Sequence, residues 1–473
     1  MLLPGLTQLR EDCMKTTRWL VLTLLALTLT SGAWSVQAQD KPKPAPLKGE
    51  EALVKSVELV KEGKAAEALK VLEAAKATME PADVWVWWYN KAYCHLELCQ
   101  DDKAIEGYRE ALKLNPKARC RSLFATLLQE ADLCEEALKV LDEDTKPEHP
   151  EHNAILRVII EGPFKARWPL THLKLHHRSK GGNYVVISDI GVTDAEMDAA
   201  EAEAAKLDPA DKLYQQKLAK FHKPHDDLIS AANLMELSRK EFIKFAGIAP
   251  NRWPKGKRLR AFFFKDQANF MQFEQDCGGR GISGSVAGYY TPFWRYISLF
   301  NQTHDVKVAG SITQATIETF WHEGWHQTCS ILTRRCPLWM NEGISEFLSY
   351  GNCRDKGTNM ELGLLVRAKQ NAYTDYELTK EMVRFNKFIP FKEFFYYESE
   401  QWSTERVSLN YAQAWSIVYF ALKGENENFK KDFCKLFAEF CKDRKAAEVI
   451  PEVIDDKEMA AYEAAWIAYW KKM

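Results

Sequence analysis

Three phrases in the first third of the chain repeat at nearly constant spacing. Ala65-Ala66-Glu67-Ala68-Leu69-Lys70-Val71-Leu72, Lys103-Ala104-Ile105-Glu106-Gly107-Tyr108 and Glu136-Ala137-Leu138-Lys139-Val140-Leu141 align with Ala68, Ala104 and Ala137 in one register, at offsets of 36 and 33 residues. A unit of this length cannot bury its apolar face alone, so such units stack as helix pairs. Small residues at the shared positions let paired helices approach closely, and Pro116 stops the second helix of the middle unit. Residues 50–145 therefore form a helical array of about three units.

The middle unit places Trp88, Ala92, Ala104, Ala111 and Pro116 in the order large, small, small, small, helix-ending. This region resembles a tetratricopeptide array, and the resemblance implies a surface for a protein partner. A plain helical bundle without a binding role fits the same residues.

Ahead of the array, Lys15 and Arg18 precede an apolar run from Trp19 to Leu29, and Val36-Gln37-Ala38 offers a small-x-small exit. That pattern predicts a secretory signal over 1–38, starting at Met14, with an uncleaved anchor as the alternative. A Pro-bearing linker spans 39–49. The mature protein is then expected outside the cytoplasm, in the periplasm, cell envelope or extracellular space, with no stable membrane span. Eleven Cys are present. Without Cys13, four fall before residue 140 and six after 270, counts that permit disulfides in each region and equally suit buried thiols. The 64 basic and 66 acidic side chains leave a net charge of -2, so no cationic excess exists to neutralise nucleic-acid phosphates.

Residues 146–167, with Pro147, Pro150 and Pro163, read as a connector. Beyond it, runs at 171–176 and 184–188 flank Lys180-Gly181-Gly182-Asn183 and predict a β-hairpin. Further strands are expected over 258–265, 286–291 and 295–300, with helix over 195–246. Residues after 340 read as almost wholly helical. The fold class is α+β: mainly helical, the repeats followed over 168–473 by a domain with a small mixed sheet and a helical C-terminal part.

Trp321-His322-Glu323-Gly324-Trp325-His326 lies in a helical stretch from Thr313 to Ser330. On a helix, positions i and i+4 share a face, so His322 and His326 aim ring nitrogens at one metal ion, with Glu323 beside them to take a proton from a water. Pro337 marks a turn, and Glu342 then falls 16 residues after His326, where a returning helix brings a third ligand. Glu346, one turn further on, is placed to accept from the free nitrogen of a ligand His. Two nitrogens, one carboxylate and an open position describe a catalytic zinc site rather than a closed structural one.

These residues resemble the gluzincin metallopeptidases, the peptidase MA-like group. The resemblance implies one Zn2+ per chain on His322, His326 and Glu342, Glu323 as general base and acid, Glu346 as orienting partner, and peptide-bond hydrolysis. The metzincin pattern fails, because Cys329 and Leu332 stand where it needs Gly and His. Tyr411 is the candidate donor to the oxyanion, against the alternative of a buried packing tyrosine. Gly288-Tyr289-Tyr290 reads first as an ordinary aromatic strand and second as an edge that pairs with extended substrate. His176, His177, His222 and His225 read as surface residues rather than ligands. The rival to a peptidase is a non-catalytic scaffold with a peptidase-like domain; the presence of Glu323 favours the enzyme.

Overall fold

The expected period appears as three helical hairpins: α1 (Gly49–Lys61) with α2 (Ala65–Ala75), α3 (Val84–Glu97) with α4 (Asp101–Leu114), and α5 (Arg121–Glu130) with α6 (Cys134–Asp142). The computed structural model describes residues 47–161, 175–178, 183–190, 212–247, 259–276, 286–354, 359–365 and 374–473, with a few residues between 199 and 206 and breaks at 146, 148, 293, 306, 310, 403–404 and 443. The signal segment, nearly all of the linker and Cys277 lie outside the described residues. Ala68, Ala104 and Ala137 are each fully buried. Gly107 serves the same close approach, since a Cβ there would meet Ala92 Cβ at 2.7 Å. Trp87, rather than Trp88, is the fully buried indole, and its N–H donates to Leu72 O at 2.8 Å across the first two hairpins.

Each hairpin turns through one left-handed residue: Gly63 (φ 70°), Cys99 (φ 55°) and Asp132 (φ 64°). The residue after each donates back to the carbonyl five positions earlier, Lys64 to Leu59, Gln100 to His95 and Leu133 to Leu128. This closes the helix end by a Schellman-type bond. The turn is thus a third mark of the repeat, hidden in the sequence because three different residue types occupy it.

The connector expected over 146–167 is corrected in part. Pro150 opens α7 (Pro150–Glu161), where a proline's missing N–H costs nothing because the first helical N–H groups have no partner anyway. Leu156 packs into the repeat core and Ile155 into the core against the sheet, so α7 joins the two. Residues 162–167 lie outside the described residues.

β1 (Leu175–Arg178), β2 (Tyr184–Ser188), β3 (Leu259–Phe264), β4 (Gly288–Thr291) and β5 (Tyr296–Phe300) form a mixed sheet in the order β1-β2-β3-β5-β4. β1 and β2 form the expected hairpin, with β1 running on to Arg178 rather than ending at His176; β2, β3 and β5 run parallel, and β4 is an antiparallel edge. Apolar runs over Tyr184–Ile187 in β2 and Ala261–Phe264 in β3 reflect cover on both faces. Val185, Ile187, Phe262, Phe264 and Tyr296 face α7 and α9 (Gln267–Asp276). Tyr184, Val186, Ala261, Phe263, Ile297 and Leu299 face α8 (Lys212–Phe245) and α10 (Gln314–Leu332).

A short hairpin, β6 (Lys307–Ala309) with β7 (Ile312–Thr313), leads into α10. α11 (Leu338–Ser349) follows, then a hairpin of β8 (Gly351–Arg354) and β9 (Asn359–Leu362) absent from the sequence reading. The described residues beyond it are mainly helical, as expected: α12 (Asp375–Arg384), α13 (Phe391–Phe394), α14 (Ser399–Trp402), α15 (Val407–Lys423), α16 (Glu427–Phe440), α17 (Ala446–Val453) and α18 (Asp456–Lys472). The α+β class holds. Among the described residues no helix is long and apolar enough to cross a membrane.

Candidate metal centre

α10 is set before its functional face is used. Thr313 caps it by accepting from the Thr316 N–H, and Ile317, Phe320, Trp321 and Trp325 are buried in the main core. Trp321 Nε1 donates to Ser238 Oγ on α8 at 2.9 Å. Gly324 permits that packing, because a Cβ there would meet Phe242 Cε2 of α8 at 2.8 Å. α11 returns after Pro337 and is pressed against α15 at Gly343, whose Cβ would stand 2.5 Å from Ala414 O. With both helices fixed from behind, His322 and His326 from one and Glu342 from the other meet in front.

The three side chains converge as the spacing requires. One ligand atom from each of His322, His326 and Glu342 lies within 4.8 Å of the others. His322 Nε2 and His326 Nε2 are 3.1 Å apart, and Glu342 Oε2 is 3.6 Å from the first and 3.3 Å from the second. That oxygen is buried, with a ring nitrogen of each histidine beside it. Burial pushes the Glu342 carboxyl up, but His326 and His322 outweigh it and hold the group well below the usual carboxylate range. Burial pulls both imidazoles down; Glu346 and Glu342 more than offset this at His322, and Glu342 does so at His326. A site that gathers protons this way offers the same nitrogens and oxygen to a divalent cation in their place. Two imidazoles and a carboxylate suit zinc among the available metals.

The outer partners are equally ordered. His322 Nδ1 lies 3.2 Å from Glu346 Oε1, the contact expected of that residue. Glu346 in turn hydrogen-bonds Asp375, which also accepts from the Tyr350 hydroxyl at 3.1 Å. Burial, with the Glu346 charge, raises the Asp375 carboxyl well above its ordinary value. Ser345 Oγ donates to Asn341 O and rests against the His326 ring, 3.2 Å from Nδ1. Asp375 and Ser345 escaped the sequence reading. Ser345 could have been found from its position, one turn of α11 beyond Asn341 and beside Glu346; Asp375 carries no local signal, being an ordinary acidic residue in the first turn of α12.

Glu323 stands beside the paired rings with Oε2 accepting from the Tyr290 N–H at 2.7 Å. Its carboxyl is raised, by burial first, with His322 and His326 offsetting only part. The strand Gly288-Tyr289-Tyr290 is thus brought to the site: Tyr290 faces α10, while Tyr289 on the other face bonds Glu274. Tyr411 lies in the second turn of α15, with its ring centroid 6.3 Å from that of His322 and edge-on to Trp402 at 5.3 Å. Burial raises its hydroxyl, and the charges of Glu342, Glu346 and Glu323 add to this, so it stays protonated as a donor. His176 and His177 lie in β1, and His222 and His225 in α8; their side chains lie outside the described residues. None of the nine described cysteines forms a disulfide.

Residues 316–439, which include every residue of this centre except Tyr290, match a family model described as "Protein of unknown function (DUF1570)". No curated protein matches the chain. Residues 85–118 match the tetratricopeptide repeat; they run from α3 past the end of α4, so the middle hairpin is a tetratricopeptide unit.

Proposed function

We propose that the chain is a zinc-dependent peptidase whose tetratricopeptide repeats bind protein. One observation carries this reading: the ligand atoms of His322, His326 and Glu342 lie within 4.8 Å of one another, with Glu323 alongside. The pattern resembles that of the gluzincins, and the donor set suits a single Zn2+ with an open position. When bound, zinc would supply a Lewis acid that polarises the scissile carbonyl and acidifies a water. Glu323 takes a proton from the attacking water and returns it to the leaving amine, with one carboxylate oxygen held by the Tyr290 N–H. Tyr411 donates to the carbonyl oxygen as it gains charge. Glu346, backed by Asp375, holds the His322 ring in place. The N-terminal segment directs export.

The purified protein is expected to hold about one zinc per chain by elemental analysis. Against a mixed peptide library read by mass spectrometry, Glu323→Gln should keep the metal and lose about 10²–10⁴-fold of the hydrolysis. Equal cleavage by wild type and variant would remove Glu323 as the base. Metal-loaded wild type that cleaves nothing would favour the scaffold.

A further inference from the structure

Two guanidinium groups are buried where the sheet meets the repeats, and both are held by carboxylates that the repeats supply. Arg260 on β3 donates from Nη2 to Glu130 Oε1 at 2.7 Å. Arg295, in the β4–β5 turn, donates from Nη1 to Glu130 Oε2 at 2.7 Å and to Asp101 Oδ2 at 3.0 Å. Arg260 is fully buried, and Glu130 is 2 % exposed. Glu130 closes α5 and Asp101 opens α4. Charges so deeply buried are tolerated only while their partners stay in place.

The same arginines carry the floor of the candidate centre. Gln327, next to His326, donates from Nε2 to the backbone carbonyls of Arg260 and Arg295, 3.2 Å each. Arg295 adopts a left-handed backbone (φ 56°), and its N–H closes the turn onto Thr291 O at 2.6 Å. That turn sets β4, whose Tyr290 gives its N–H to Glu323 and pairs its hydroxyl with Ser330 of α10 at 2.6 Å. The Ser330 carbonyl accepts from the Cys99 thiol at 3.7 Å, at the left-handed turn of the second hairpin. A continuous set of contacts therefore runs from the repeat acids, through both arginines, to the residues flanking His326 and Glu323.

We propose that Glu130 is a positioning residue for the metal centre: through Arg260 and Arg295 it holds the β4–β5 hairpin and α10 in register, coupling the repeats to the site. Its catalytic consequence rests on the peptidase reading; the positional coupling does not.

The test uses the full chain with Glu130→Gln, which keeps the volume and removes the charge. Hydrogen exchange is read by mass spectrometry without added metal, and the visible absorption bands are read after loading with Co2+. Exchange should quicken on the order of tenfold in peptides over 288–300 and 320–332 while 407–472 is unchanged, under conditions where circular dichroism shows the variant folded. The cobalt bands should shift, which a role confined to stability would not produce. Quickening spread evenly over the chain, or confined to 121–161, overturns the proposal, as do unmoved cobalt bands in a protein that binds the metal. A wild type that takes up no cobalt sinks the zinc reading, and the exchange pattern alone then decides the positioning. Should Glu130→Gln fail to fold, Asp101→Asn loosens Arg295 alone; faster exchange over 288–300 supports the coupling, and unchanged exchange there overturns it.

Discussion

Glu274 lies against the sheet face remote from the metal centre, bonded to the Tyr289 hydroxyl, and burial pushes its carboxyl from 4.5 up to about 7. The folded protein therefore keeps a proton that the unfolded chain has released. This favours the fold fully below 4.5, and the contribution is lost as pH rises through 7. Between pH 5 and 8 the loss is on the order of 2–3 kcal/mol. Glu274→Gln should flatten that part of the profile, so urea unfolding at the two pH values should differ by about that much less in the variant than in wild type. Identical slopes would mean that Glu274 ionises normally in the fold. The sequence carries no mark of this behaviour, since a lone Glu on a short amphipathic helix reads as a solvated residue.

At the scale of elements, the crossing of α11 over α15 decides whether Glu342 reaches the paired rings. Gly343 sits at that crossing with backbone, not a side-chain tip, where a Cβ would go. Gly343→Ala must push α15 back or tilt α11, and overpacking of this kind costs about 1–3 kcal/mol. Chemical denaturation should register that loss, and zinc retained after dialysis against a chelator should fall with it, because Glu342 is the neighbouring residue. Full zinc retention with full stability would show that the crossing has slack. Helices and their order were legible because apolar periodicity is local, and the limits of α10 fall within about two residues of the stretch from Thr313 to Ser330. The β8–β9 hairpin was not legible, because its short, half-exposed strands carry too few apolar residues to stand out on either side of Asp355-Lys356-Gly357-Thr358.

Across the whole molecule the repeats and the sheet share one seam, and His152 of α7 is its titratable hinge-point. Its ring stacks on Trp294 at 3.5 Å, and Nε2 lies 2.9 Å from Thr126 Oγ1. Burial, with Arg260 and His149 adding to it, holds its pKa well below 6.5. The imidazole stays neutral in the fold while the unfolded chain protonates, so nothing is lost above 6.5 and stability falls as pH drops below it, the opposite sense to Glu274. The slope from this one group is at most about 1.4 kcal/mol per pH unit. His152→Gln should reduce the acid-side loss between about pH 6.5 and 5 by up to that slope; an unchanged profile would mean the ring is wet. A repeat array read as a separate binding arm gives no reason for such a residue, whereas a seam does.

Helix periods, the repeat offset and the i, i+4 placement of His322 and His326 were settled by the sequence alone, because each depends on residues a few positions apart along one helix. The spacing to Glu342 was legible for the same reason, with one turn between two helices. Tertiary structure alone decided that Asp375 backs Glu346, that Tyr290 holds Glu323, and that Glu130 and Asp101 hold Arg260 and Arg295. Those contacts join residues from 29 to 194 positions apart, and a buried charge takes its partner from whatever the fold brings near, which no local pattern records.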